Sequence, residues 1–404
     1  MTTEQSAITS PDSESGMYEE GPDYFLGRDV LLTLRYYARH IIPCFCMVGI
    51  IGNCMALTLI RTNYWLKRLT SNIYLCTLSL CSCLFLITVL MSWMDSALEI
   101  PLYSGSEVGC RFLTFFAHMS DFNCVWMISW VSCDRAIVLF RPGIRKTVCS
   151  KRFARNTVIV TVLGSCVLYS WCLILAGLEE DNGTWFCGLT SNSSIVSQQD
   201  LQRTHQLFTF FDTLICTVVP SLLITVVNSL SVYRYRQCMK IYQSGVLRVR
   251  FLRVAENAEN ENVNLLANDT TNAKKLLLSQ QSQTTAHYST QSNRSANGGK
   301  LRSSDLQLSR SLLIVTSTFV FLTFPNCAFR VYDSIFDPRS VLFQLYFFAT
   351  FLLSYLHHAV LFYMYIFWSP QMKKQLKPTA LKLLECYCFK TVPEFGHSSS
   401  LYRR

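Results

Sequence analysis

Charge is what this chain has least of. Only 15% of its 404 residues are Asp, Glu, Lys or Arg, whereas 50% are hydrophobic and the mean hydropathy is positive. That shortage excludes an ordinary soluble chain and fits a polytopic membrane protein. It is concentrated in seven apolar stretches, near 41–60, 70–93, 112–133, 157–178, 207–232, 311–331 and 341–368. The first, second, fourth and seventh of these contain no Asp, Glu, Lys or Arg at all. A bilayer core of ~30 Å needs about 20 such residues in a helix rising ~1.5 Å per residue. A secretory signal peptide is lacking too, since residues 1–34 are polar and acidic, so the first stretch is expected to act as its own insertion signal. No internal repeat or broken-helix pair is visible, which argues against an inverted-repeat transporter.

What charge there is has a direction. Arg61, Lys67, Arg68, Arg141, Arg145, Lys146, Lys151, Arg152, Arg155, Lys373, Lys374, Lys377 and Lys382 fall on one side of the seven stretches. The other side has fewer, chiefly Arg28, Arg35, Arg39, Arg203 and Arg339. The richer side is cytoplasmic by the positive-inside rule, so the N-terminus is expected outside. The net charge of +10 then belongs to the inner rim, and no nucleic-acid partner is expected. The fold class that follows is an all-α seven-transmembrane helix bundle with a short amphipathic helix after the seventh span. In the organisation expected, 1–35 is an extracellular disordered N-terminus and 36–235 carries helices one to five. A long cytoplasmic loop, largely disordered, covers 236–304, with helices six and seven over 305–368 and a cytoplasmic tail over 369–404. In that tail Met372, Leu376, Leu381 and Leu384 among lysines suit a helix lying on membrane lipid, with Cys386 and Cys388 as palmitoylation sites. Sequons at Asn182 and Asn192 fall in the second outer loop and mark glycosylation; those at Asn268 and Asn293 fall inside and are expected to stay unmodified.

Most of the 18 cysteines lie within apolar helices, where Cys behaves as a small hydrophobe. Cys110 and Cys187 stand out because they face an oxidising compartment, where a bridge would tie the second outer loop to the top of the third helix; the alternative is two unpaired thiols. Cys110 opens the third span and Asp134-Arg135 closes it, about 37 Å further along at ~1.5 Å per residue. A charged pair at a membrane boundary reads as a switch candidate, against the alternative of one more basic rim residue.

Together these features resemble the rhodopsin-like G-protein-coupled receptors over roughly 36–380. Gly52-Asn53, Pro142, Pro220, Pro325, Phe319 and Tyr365 stand where that family carries its motif residues. The resemblance implies a plasma-membrane receptor, not an enzyme, whose partners are an extracellular ligand, heterotrimeric G proteins, arrestin and a receptor kinase. Ser and Thr between 279 and 304 are candidate phosphorylation sites. It also implies a resting clamp of Arg135 by Asp134 and Asp305, with capping of the sixth helix as the alternative for Asp305, and a packing cluster of Val125, Pro220 and Phe319. The chain departs from the pattern at Ala136, Ser82, Thr323 and Leu361-Phe362. Ser82 replaces the sodium-holding aspartate, Thr323 the sixth-helix tryptophan, and Leu361-Phe362 the seventh-helix asparagine-proline. With that tryptophan missing, Phe319, Phe321 and Phe324 would have to repack, although Phe321 also reads as a lipid-facing residue. The departures resemble invertebrate neuropeptide receptors of the FMRFamide and myosuppressin type.

For the ligand, Asp121 and Asp212 are intramembrane acids that each need a partner. His118, Arg330, Asp333, Phe347, Phe351 and Tyr355 would complete a wide mouth suited to a peptide, although Asp121 paired with His118, Arg330 or another neighbour is an equally good structural reading. Ala117 stands where amine receptors carry their aspartate, which argues against an amine ligand; a non-peptide ligand remains the alternative to a peptide. No lysine lies between 341 and 368, so retinal chemistry is excluded, and no cofactor is expected. The rival from another class is a seven-helix zinc hydrolase using His118, His205, His357 and His358. Adjacent His357 and His358 should diverge by about 100° on a helix and make a poor ligand pair, so no metal is expected.

Overall fold

The computed structural model describes residues 22–63, 69–141, 149–181, 184–189, 207–240, 303–336 and 340–389, with Ile144 and Gln243. The helices are α1 Pro22–Thr62, α2 Ser71–Leu98, α3 Glu107–Phe140, α4 Lys151–Leu168, α5 Leu207–Lys240, α6 Ser303–Phe336, α7 Val341–Trp368 and α8 Pro370–Phe389. Among the described residues, α1 to α7 are the seven helices long and apolar enough to cross a membrane, with α4 prolonged by a turn and the helical turn Cys172–Leu175. The seven-span bundle and the helix after it agree with the expectation.

Burial explains the arrangement. Leu59, Leu86, Met127, Ile128, Leu312 and Phe319 are at most 2% exposed and form the interior, while Ile51, Val160, Val167, Leu222 and Phe321 are 55–76% exposed on the outer girdle. An apolar exterior suits lipid; inside, polar side chains tie helix to helix. Asn123 donates to Ser165 Oγ (2.7 Å) and Trp130 to Thr161 (3.2 Å), joining α3 to α4. Asn228 donates to Thr316 (2.9 Å) between α5 and α6, and Ser311 to the Trp368 carbonyl (3.0 Å) between α6 and α7. Asn53 donates to the carbonyls of Gly49 and His358, both at 2.9 Å, fastening α7 to α1. At Gly52 an added Cβ would stand 2.8 Å from the Tyr363 ring, so glycine is required for that approach.

Several boundaries differ from expectation. α1 is already helical from Pro22, inside the stretch read as disordered, because proline at a first helical position is pre-set for the helix. α5 continues to Lys240, past the expected start of the inner loop at 236. The second outer loop contains a hairpin that the sequence reading passed over, β1 Ala176–Asp181 paired antiparallel with β2 Thr184–Leu189. α7 runs its 28 residues without an internal proline, so it carries no proline kink.

Candidate functional site

Two places in the bundle collect the residues singled out above. The first is a cavity of about 220 Å³ at the end of the bundle carrying Cys110, the outer end by the Lys and Arg bias. The disulfide Cys110–Cys187, with Cα atoms 5.5 Å apart, fixes the hairpin over that end. Arg111 Nε donates to the Ala176 carbonyl (3.0 Å) and holds β1 from the same helix. Asp95 accepts from Leu102 N, Ser104 N and Ser104 Oγ at 2.8–3.2 Å, shaping the turn between α2 and α3; nothing in the sequence reading had singled it out. Tyr103, in that turn, lines the cavity, and burial pushes its phenol above the usual range.

All eight residues proposed for the ligand line this one cavity: His118, Asp121, Asp212, Arg330, Asp333, Phe347, Phe351 and Tyr355. Asp212 accepts a 2.6 Å hydrogen bond from Tyr169 and pairs with Arg330 at 3.7 Å. His118 stacks on Tyr169, centroids 5.6 Å apart, and not against Asp121. The partner of Asp121 is instead His358, whose Nε2 is 3.3 Å away, with Cys216 Sγ at 3.9 Å. Proline explains why α5 offers so many groups here. Pro220 has no N–H for the carbonyl four residues back, and the turn before it widens into a π-helix over Thr213–Val218, with Val219 N–H on the Leu214 carbonyl. That extra residue per turn brings Asp212, Thr213, Cys216 and Thr217 to the cavity wall.

Beneath the cavity, Val125, Pro220 and Phe319 are buried and Val125 and Phe319 form part of its floor. Pro325 sits half-buried in α6. Phe321 and Phe324 are 74% and 57% exposed, which corrects the expectation that they share in repacking: their helical positions face lipid. Phe319, edge-on to His357 at 4.9 Å, and Thr323, bonded to the Phe319 carbonyl at 2.9 Å, hold the inward face.

The second place is the inner end of α3. Asp134 and Arg135 are 6% and 3% exposed and paired with each other, and Thr70 donates to the carboxylate at 3.2 Å. Tyr365 is buried nearby on α7, its hydroxyl without a hydrogen bond among the described residues. Asp305 belongs to α6, but its side chain lies outside the described residues, as do those of Cys386 and Cys388 in α8. Asn182, Asn192, Pro142 and His205 lie outside them too.

Ser82 is buried between Cys124 Sγ (3.4 Å) and His358 Nδ1 (3.5 Å), a sulfur and nitrogen environment. Hard cations want charged oxygens. Agonist affinity should therefore respond identically to sodium and potassium chloride at equal ionic strength; radioligand displacement showing a sodium-specific drop would refute this.

Residues 52–361 match the family model of the 7 transmembrane receptor (rhodopsin family). No curated protein matches the chain.

Proposed function

The chain belongs to the rhodopsin family of seven-transmembrane receptors, and from that premise we propose that it couples an extracellular neuropeptide to heterotrimeric G proteins at the plasma membrane. It is a multi-pass membrane receptor and not an enzyme; the family implies an outer ligand and a G-protein partner in general terms. The peptide reading rests on one observation, the composition of the cavity. Asp121, Asp212 and Asp333 supply acidic oxygens, Arg330 a guanidinium, and Phe347, Phe351 and Tyr355 an aromatic wall, with Phe351 and Tyr355 rings 4.3 Å apart. A peptide ending in arginine and an amidated phenylalanine, as FMRFamide-type peptides do, offers a fork for carboxylates and a ring for that wall.

In this reading Val125, Pro220, Phe319 and Pro325 transmit the occupancy of the cavity inward. Asp134, Arg135, Asp305 and Tyr365 form the switch that opens a groove for a G-protein helix. Asn182 and Asn192 carry glycans, Cys386 and Cys388 anchor α8 to lipid, and Ser and Thr between 279 and 304 take the phosphates that a receptor kinase adds and arrestin reads. A peptide library applied to cells expressing the chain with a promiscuous G protein tests the assignment. Activation by amidated Arg-Phe peptides, weakened tenfold or more by Asp212→Asn, is the expected result. A response confined to small amines or lipids would reject it.

A further inference from the structure

One cluster joins Asp121 of the ligand cavity to two histidines that neither the peptide reading nor the switch uses. Although His357 and His358 are neighbours in sequence, their rings meet at 3.8 Å between centroids, and their nitrogens and the Asp121 carboxylate all lie within 4.8 Å of one another. This overturns the expectation that adjacent histidines diverge too far to share a ligand: Cβ directions differ by about 100°, but rotation about two side-chain bonds returns both rings to α3. The rings are 3% and 1% exposed. His357 Nδ1 meets the Ser354 carbonyl, so that nitrogen carries the proton and donates, leaving a lone pair on Nε2. His357 Nε2 has no hydrogen-bond partner among the described residues. His358 is stacked on Phe85 at 4.1 Å with Nδ1 beside Ser82, and its Nε2 faces Asp121 Oδ1 at 3.3 Å. An anchored Nδ1 behind an inward Nε2 is how metal-ligating histidines are held.

We propose that Asp121, His357 and His358 bind a borderline-soft divalent cation, zinc by preference, which ties α3 to α7 at the floor of the ligand cavity. Two imidazoles and one carboxylate are a zinc donor set that keeps a fourth position. Asp121 and His357 both line the cavity, so that position opens toward it and is completed by water or by a ligand group. In a tetrahedron with ~2.0–2.1 Å bonds the ligand atoms stand roughly 3.3 Å apart. The His358–Asp121 pair already has that spacing, and a nitrogen of His357 lies within 4.8 Å of both ligand atoms. Magnesium and calcium, which want oxygens, fit this set poorly. The competing occupant is a proton shared between His358 and Asp121, which needs no metal.

The test uses the full-length chain purified into lipid nanodiscs, stripped with chelator and titrated with zinc, cobalt and magnesium chlorides. The expected result is one zinc equivalent bound per chain, with no response to magnesium. His357→Ala and His358→Gln should each weaken zinc at least tenfold, the loss that even outer-shell partners of a metal site produce. Cobalt in the site should give tetrahedral visible bands without thiolate charge transfer, which separates it from the free cysteines in the helices. Unchanged zinc affinity in both variants, a thiolate band with cobalt, or no saturable zinc binding would overturn the proposal. Should a variant fail to fold, the cobalt spectrum of the unaltered chain decides. The readout needs no peptide, so it stands or falls apart from the ligand assignment.

Discussion

Arg135→Ala is expected to leave ligand affinity within about threefold while lowering second-messenger output per receptor more than tenfold, a difference of over ~1.4 kcal/mol in the active-state equilibrium. The ligand cavity and Arg135 occupy opposite halves of the bundle, so binding and coupling should separate. The substitution strands a buried carboxylate, Asp134, to which the Thr70 hydroxyl still donates at 3.2 Å. Breaking a buried pair in this way costs on the order of 3–5 kcal/mol, so fewer copies will reach the surface. Output must therefore be compared at matched surface density, with binding measured on the same cells. Full signalling under those conditions would sink the switch assignment.

Cys110→Ser and Cys187→Ser should each abolish surface folding or ligand binding, and the double variant should be no worse than either. The bond closes a loop between positions 77 apart, for which the loss is typically ~2–5 kcal/mol. Both sulfurs are buried against Ala176, so either unpaired residue also leaves a packing defect under the hairpin. Partners in one bond share one energy term, and their losses do not add. Surface labelling and saturation binding on the three variants give the cycle; strictly additive losses would exclude a shared bond.

The bundle was legible because lipid imposes a simple rule: four stretches without a single charge can be little else, and the remaining three carry so few charges that each one stood out. Asp121 and Asp212 are legible on the second half of that rule, as charges too costly to lie idle, and the structure brings both to one cavity with Arg330. What stayed hidden depends on local geometry. The hairpin had a signal that was passed over, Asn182-Gly183 between two short β-compatible runs, the pair most favoured in two-residue turns. The outward turn of Phe324 follows from packing against neighbours that a single helix pattern does not specify. The partner of Asp121, left open between His118, Arg330 and another neighbour, is His358, because the deciding quantity is where α7 sits against α3. Asp95 escaped since one acid at a helix end is ordinary in sequence, and only the turn it cradles gives it meaning.

An α7 with no proline and with Asn53 gripping its backbone at His358 behaves as a stiff strut riveted to α1. The pliable elements stand opposite: α5 with its widened turn before Pro220, and α6 with Pro325 in mid-span. α1 carries Pro43 as well, so proline gives bends a place in α1, α5 and α6 and none in α7. A rearrangement that begins in the cavity is therefore expected to tilt α5 and α6 more readily than it bends the seventh span. Stiffness on one side turns a small displacement near Asp212 into leverage at the far end of α6, much as a rigid post turns a push on a door into rotation about its hinges.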